Sequence, residues 1–207
     1  MQLRMFTTYT RSLEDLRTEV GGCRKCPYYL INDGRVNGVG TPEATIMVVG
    51  QGPGPTEVTT GRPFTGGSGK ALRSYIRNAG ITMKEVYLTN LIRCAQPEGK
   101  IIMTKAIRMC GGWLEDEVGL VSPRLIVSLG GLATKELTGA EGVEEHRGRI
   151  LESKYGVPTI HMFHTAFLLR IRSKDKGRYE ELDLQMKEDW EIVAKEQKCG
   201  TGGVDIE

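Results

Sequence analysis

The chain has 207 residues, of which 39% are apolar and 26% charged, and its formal net charge is +2. This length supports one domain with a buried core, and no run approaches the ~20 continuous apolar residues of a membrane span. The first residues, Met1 to Phe6, lack the apolar stretch and small-residue cleavage site of a secretory signal. The expectation is an unsecreted, cytoplasmic protein. A charge so near zero names no partner, but Arg147, Arg149, Arg170, Arg172, Lys174, Lys176 and Arg178 gather in the last third of the chain, which reads equally as a solvated face or as a basic patch for an acidic ligand.

In chain order, Leu13, Leu16 and Val20 recur at helical spacing and predict a short helix over 11–20. Ala44 to Val49 is a compact apolar run closed by Gly50 and reads as a buried strand. A loop rich in Gly and Pro follows, and the periodicity of Leu72, Tyr75, Ile76 and Ala79 predicts a helix over 70–79, stopped by Gly80. Val86 to Asn90 reads as a second strand, 104–118 as a helix carrying Cys110, and Leu125 to Leu129 as a third strand. A helix over 132–137, a strand over 157–163 and a charged helix over 179–195 complete the series. Strands alternating with helices imply an α/β fold with a central, mostly parallel four-stranded sheet. Residues 1–198 are expected to form this single domain, and 199–207 a flexible tail. Ligands in such sheets bind at the carboxyl ends of the strands. The loop from Gly50, the residue Asn90 and the segment from His164 all sit at those ends.

Five cysteines in an unsecreted chain are poor disulfide material, because the cytosol keeps thiols reduced. Cys199 lies in the Gly-rich tail, whereas Cys23 and Cys26 form a C-x-x-C pair to which Cys94 and Cys110 add single thiols from later segments. Four thiolates suit a structural zinc ion or an iron–sulfur cube. Spacing leaves both open, together with the plainer reading of four buried thiols.

The motifs in chain order are the cysteine pair, Gly38-Val39-Gly40, Gly50-Gln51-Gly52-Pro53-Gly54, Gly61-Arg62-Pro63-Phe64-Thr65-Gly66, Val86 to Asn90 leading to Cys94, Cys110, Leu129-Gly130, Arg147-Gly148-Arg149, and His164-Thr165-Ala166-Phe167-Leu168-Leu169-Arg170. Together they resemble the iron–sulfur uracil-DNA glycosylases of family four. The resemblance implies a three-layer α/β/α sandwich and a [4Fe–4S] cluster on Cys23, Cys26, Cys94 and Cys110. It also implies a monomeric base-excision repair enzyme acting on DNA that contains uracil. Such an enzyme rotates its target nucleotide out of the stack. Phe64 would then stack on the base, and Asn90 would pair with its O4 and N3–H edge. His164 would stabilise the departing anion. Backbone N–H groups from Gly50, Gln51 and Gly52 would approach the base closely, and Gln51 would position water. Leu168 would fill the vacated stack, while Arg149 and Arg170 would hold phosphates.

Two departures from the resembled pattern matter. Gln51 stands where that pattern has Glu, and an amide holds a water without taking its proton. Thr165 replaces a proline and removes its φ restraint. Besides uracil excision, the residues therefore leave open a glycosylase for another or modified base. They also leave open a catalytically weak relative that binds DNA or protein.

Overall fold

Three of the strands, β1 (Ile46–Gly50), β2 (Val86–Asn90) and β3 (Leu125–Leu129), are buried at every residue. Strands covered on both faces are the mark of a parallel sheet between helices. The computed structural model describes residues 11–30, 34–95 and 100–199. Its sheet has five strands in the order β2-β1-β3-β5-β4, with β4 spanning Ile150–Glu152 and β5 Pro158–Met162. The β1–β2, β1–β3 and β3–β5 pairs are parallel, and β4 runs antiparallel to β5.

The sequence reading of four strands is thus corrected to five. Edge strand β4 is only three residues long and half exposed, so it lacks the apolar run that betrays a central strand. The α-helices among the described residues are α1 (Leu13–Gly21), α2 (Pro55–Thr60), α3 (Gly67–Asn78), α4 (Lys100–Val121), α5 (Gly131–Thr138), α6 (Val143–His146), α7 (Thr165–Arg172) and α8 (Lys176–Cys199). Helix α8 carries Cys199 as its last residue, so the tail expected from 199 does not begin there; 200–207 lie outside the described residues.

Alternation along the strands splits the core in two. On one face Ile46, Val48, Val86 and Leu88 pack with Leu72 and Ile76 of α3, Leu168 of α7, and Leu182, Met186 and Trp190 of α8. On the other, Met47, Val49 and Tyr87 pack with Leu16 of α1, Leu114 of α4 and Leu137 of α5. The layers are helix, sheet, helix.

The segment over 139–149 is tied to α8 by two cations, Arg178, which pairs with Glu144 at 2.6 Å, and Arg147. Arg147 donates to the Gln185 carbonyl at 3.1 Å and pairs with Glu188 at 3.1 Å and with Asp189 at 3.1 Å. Asp189 is 1% exposed. Burial raises its carboxyl to about 6, against the opposing pull of Arg147. Arg147→Met leaves this carboxyl buried without its cation, a change worth roughly 3 kcal/mol. The native pKa of Asp189 lies above the unfolded value, so this penalty is expected in urea unfolding at pH 7.5. It should shrink towards pH 5 as the carboxyl takes up its proton.

Candidate active site

Parallel strands deliver their carboxyl ends to one edge of the sheet, and the register pairs Gly50 directly with Asn90. Beyond the strands, Leu91 N–H donates to the Gly50 carbonyl at 2.9 Å and Ile92 N–H to the Gln51 carbonyl at 3.2 Å. The two exit segments therefore continue side by side. A Cβ on Gly50 would lie 2.6 Å from Asn90 Oδ1 and 2.8 Å from Phe64 Cζ. Position 50 admits no side chain, and Asn90 and Phe64 converge on it.

Phe64 has φ 55°, a left-handed conformation that is costly for a bulky residue and persists only where its surroundings impose it. Two contacts impose it. Arg73 Nη1 donates to the Phe64 carbonyl, and Gly69 approaches so closely that a Cβ there would lie 1.7 Å from the same oxygen. The ring, 4% exposed, faces the His164 ring at 6.3 Å between centroids and 25° from parallel.

His164 is the N-cap of α7, and its Nδ1 accepts from Ala166 N–H at 3.1 Å. With Nδ1 occupied as an acceptor, the neutral ring carries its proton on Nε2. Burial, then the charge of Arg170, lowers the imidazole to about 4, with Glu57 pulling weakly the other way. Gly130, at φ +86°, ends β3 so close to this residue that a Cβ would stand 3.2 Å from His164 Cβ.

A cavity of about 100 Å³ is bounded by Gly52, Glu57, Phe64, Ser68, Asn90 and His164 among others. A wider groove of about 560 Å³ shares His164 and Ala166 with it and includes Gln51, Glu144, Phe167 and Arg170. Phe64, Asn90, His164 and Gly52 thus share one cavity, Gly50 lies against its walls, and Gln51 and Arg170 border the groove. The half-buried Gln51 side chain is directed to Met103 Sδ at 3.9 Å. Arg149 is exposed and lines neither of these two cavities.

Leu168 requires a correction. It is 2% exposed and packs in the core, whereas a side chain that fills a gap in a base stack has to stand at the surface. Capping by His164 starts α7 at residue 165 and turns position 168 inward. Its partly exposed neighbour Leu169 lies beside Gly67, where a Cβ would be 3.7 Å from Leu169 Cδ1.

The sequence reading gave no role to Glu57, which is 7% exposed. Its Oε1 accepts from Gly66 N–H at 2.8 Å, and Oε2 faces Gly54, where a Cβ would be 2.8 Å away. The available signal was an acidic residue in the first turn of a helix opened by Pro55, close after the glycine loop. Ser68 gave no signal.

Cys23 and Cys26 follow α1, Cys94 follows β2 and Cys110 lies within α4; Cys26, Cys94 and Cys110 are buried. Burial first and the Cys110 charge second push the Cys94 thiol up to about 11, with Cys26 and Cys23 acting in the same sense. Burial also raises Cys110, opposed by a backbone bond from Arg93. Cys94 and Cys110 thus both lie within electrostatic reach of Cys23 and Cys26. Among the described residues, no three His, Cys, Asp or Glu groups are disposed to hold a single metal ion.

The pKa of His164 yields a prediction. The native ring titrates near 4 and an unfolded imidazole near ~6.5, so the native state binds fewer protons between those values and its stability falls as pH drops through them. His164→Asn keeps a capping acceptor and removes the titration. Urea unfolding from pH 7 to pH 4 should shift the stability difference towards the variant by about 2 kcal/mol.

The sequence profile of the Uracil DNA glycosylase superfamily matches residues 37–187. A Type-4 uracil-DNA glycosylase of Thermotoga maritima is 33% identical over 174 residues, which cover 82% of this chain and 91% of that protein. One of Archaeoglobus fulgidus is 30% identical over 194 residues, 90% of this chain and 96% of that protein. A Type-5 uracil-DNA glycosylase of Thermus thermophilus is 37% identical over 125 residues, 53% of this chain and 57% of that protein.

Proposed function

Because the chain belongs to the uracil-DNA glycosylase superfamily, we propose that it hydrolyses the N-glycosidic bond of uracil in DNA and leaves an abasic site. The observation that carries this reading is the shared cavity of Phe64, Asn90 and a neutral His164. An extruded base is accepted there at an unstacking cost of a few kcal/mol. Phe64 offers a rigid aromatic face for stacking. Asn90 has a donor and an acceptor on one amide, the pair needed to match N3–H and O4 of uracil.

As the glycosidic bond breaks, negative charge collects on the base. The His164 Nε2–H is a fixed donor for the uracil O2, already oriented by the Ala166 bond and therefore requiring little reorganisation in the transition state. A neutral donor serves here because the low pKa keeps the ring uncharged across physiological pH, while the Ala166 bond fixes its tautomer. Gln51, which lines the groove, holds the attacking water without accepting its proton. The carboxylate of Glu57 is the acidic group of the cavity, and it favours the positive charge that develops on the sugar. Arg170 and Arg149, both exposed, are assigned to phosphates. Leu169 replaces Leu168 as the side chain that enters the stack.

The reading extends to a [4Fe–4S] cluster held by Cys23, Cys26, Cys94 and Cys110. The donor set fits: all four groups are sulfur, three are buried, and Cys94 and Cys110 both feel the charge of Cys23 and Cys26. When bound, the cluster supplies a rigid cross-link between the α1 loop, the exit of β2 and α4. Binding requires these thiols to lose their protons.

Two measurements test these assignments. Wild-type protein should release uracil from a U·G oligonucleotide, and His164→Ala should lower the single-turnover rate by roughly 10²–10³-fold, the usual cost of one donor to a developing anion. Absence of abasic product from U·G, U·A and single-stranded substrates would overturn the activity. Anaerobically purified protein should contain iron and sulfide, and Cys110→Ser should lose both and unfold at lower urea. Iron-free wild-type protein of unchanged stability would overturn the cluster.

A further inference from the structure

A buried polar group stands on the opposite side of the strand from Asn90 and bonds its neighbour Thr89. Along β2, Val86 and Leu88 face the core that contains Phe64, and Tyr87 faces the core that contains α4. Strand alternation accordingly puts Thr89 on the α4 side and Asn90 on the cavity side. On the α4 side stands Glu117, 3% exposed, and its carboxylate gathers four donors. Oε1 accepts from Gly38 N–H at 3.2 Å and from Tyr87 Oη at 3.1 Å. Oε2 accepts from Thr89 Oγ1 at 2.6 Å and from Arg93 Nη2 at 2.7 Å.

Arg93, 1% exposed, also donates through Nη1 to Thr89 Oγ1. Its backbone N–H bonds the Cys110 thiol. Glu117 lies seven residues after Cys110, two turns along α4 and on the same helix face. The connector from Asn90 to Cys94 is thereby fixed at both ends, through Thr89 and Arg93, to one carboxylate. A side chain held this way has little room to turn the strand end. Four charge-assisted bonds to a single buried group also fail together when that group changes.

We propose that Glu117 is a positioning residue for base recognition, holding the end of β2 from the cysteine side so that Asn90 keeps its orientation in the cavity. The proposal rests on the assignment of Asn90 to the uracil edge and concerns what sets that orientation. Removing one carboxylate oxygen frees Thr89 and Arg93 together. Misplacement of a recognition group by about 1 Å can cost up to ~10²-fold in rate.

A double-mutant cycle tests it, with single-turnover uracil release measured for wild type, Glu117→Gln, Asn90→Ala and the double variant. Iron content and urea midpoint are recorded for each. The expected result is a loss of about tenfold or more for Glu117→Gln in the wild-type background and less than about threefold in the Asn90→Ala background. Equal losses in both backgrounds would assign Glu117 a purely structural role and overturn the proposal. An Asn90→Ala protein with wild-type rates would instead overturn the recognition role of Asn90 itself. Should Glu117→Gln fail to fold, Thr89→Val, which deletes one hydroxyl, takes its place in the same cycle with the same expected coupling.

Discussion

The cavity depends on the absence of a side chain at Gly50. Strands β1 and β2 meet there in register, and a single methyl would press on both Asn90 Oδ1 and Phe64 Cζ. Everything that faces the ligand is arranged around this gap. The left-handed backbone of Phe64 is tolerated because Gly69 gives way to its carbonyl and Arg73 bonds it. Strain of this kind is kept where the surroundings over-determine it, and such places cluster at binding sites.

The electrostatics follow from burial. His164 is near a cation, Arg170, which acts with desolvation, and a carboxylate, Glu57, which opposes it; desolvation is the larger effect and holds the ring neutral. Glu57 occupies the same cavity at little cost, since Gly66 N–H satisfies one oxygen and a buried polar group is expensive chiefly when unpaired. The result is a polar interior with one fixed imidazole donor, a carboxylate beside it, and the amide of Gln51 at the border.

The two core layers carry different duties. The layer of α3, α7 and α8 shapes the cavity through Phe64, His164 and the helix that His164 caps. The layer of α1, α4 and α5 holds the cysteines and the Glu117 network. Since β2 lies between them, its alternating side chains are the physical route from one duty to the other. Thr89 belongs to the second layer and Asn90 to the first, one peptide apart.

The central strands, the parallel order and the convergence of Gly50, Asn90 and His164 were legible in the sequence. Continuous apolar runs can be buried only on both faces, and loops after such strands must meet at one edge. The cysteine pair and the glycine loop were equally plain. Edge strand β4 was not legible, because three half-exposed residues carry no periodic signal. The inward turn of Leu168 was hidden as well, since it follows from an imidazole acting as a helix cap, a role more usual for Ser, Thr, Asp or Asn. Nor could a linear reading show that Glu57 reaches the cavity or that Glu117 stands behind Asn90. Both depend on contacts between residues far apart in the chain. The sequence determined which elements form and which ends they share. Tertiary packing alone decided which carboxylate enters the cavity, which leucine is buried and which buried carboxylate stands across β2 from Asn90.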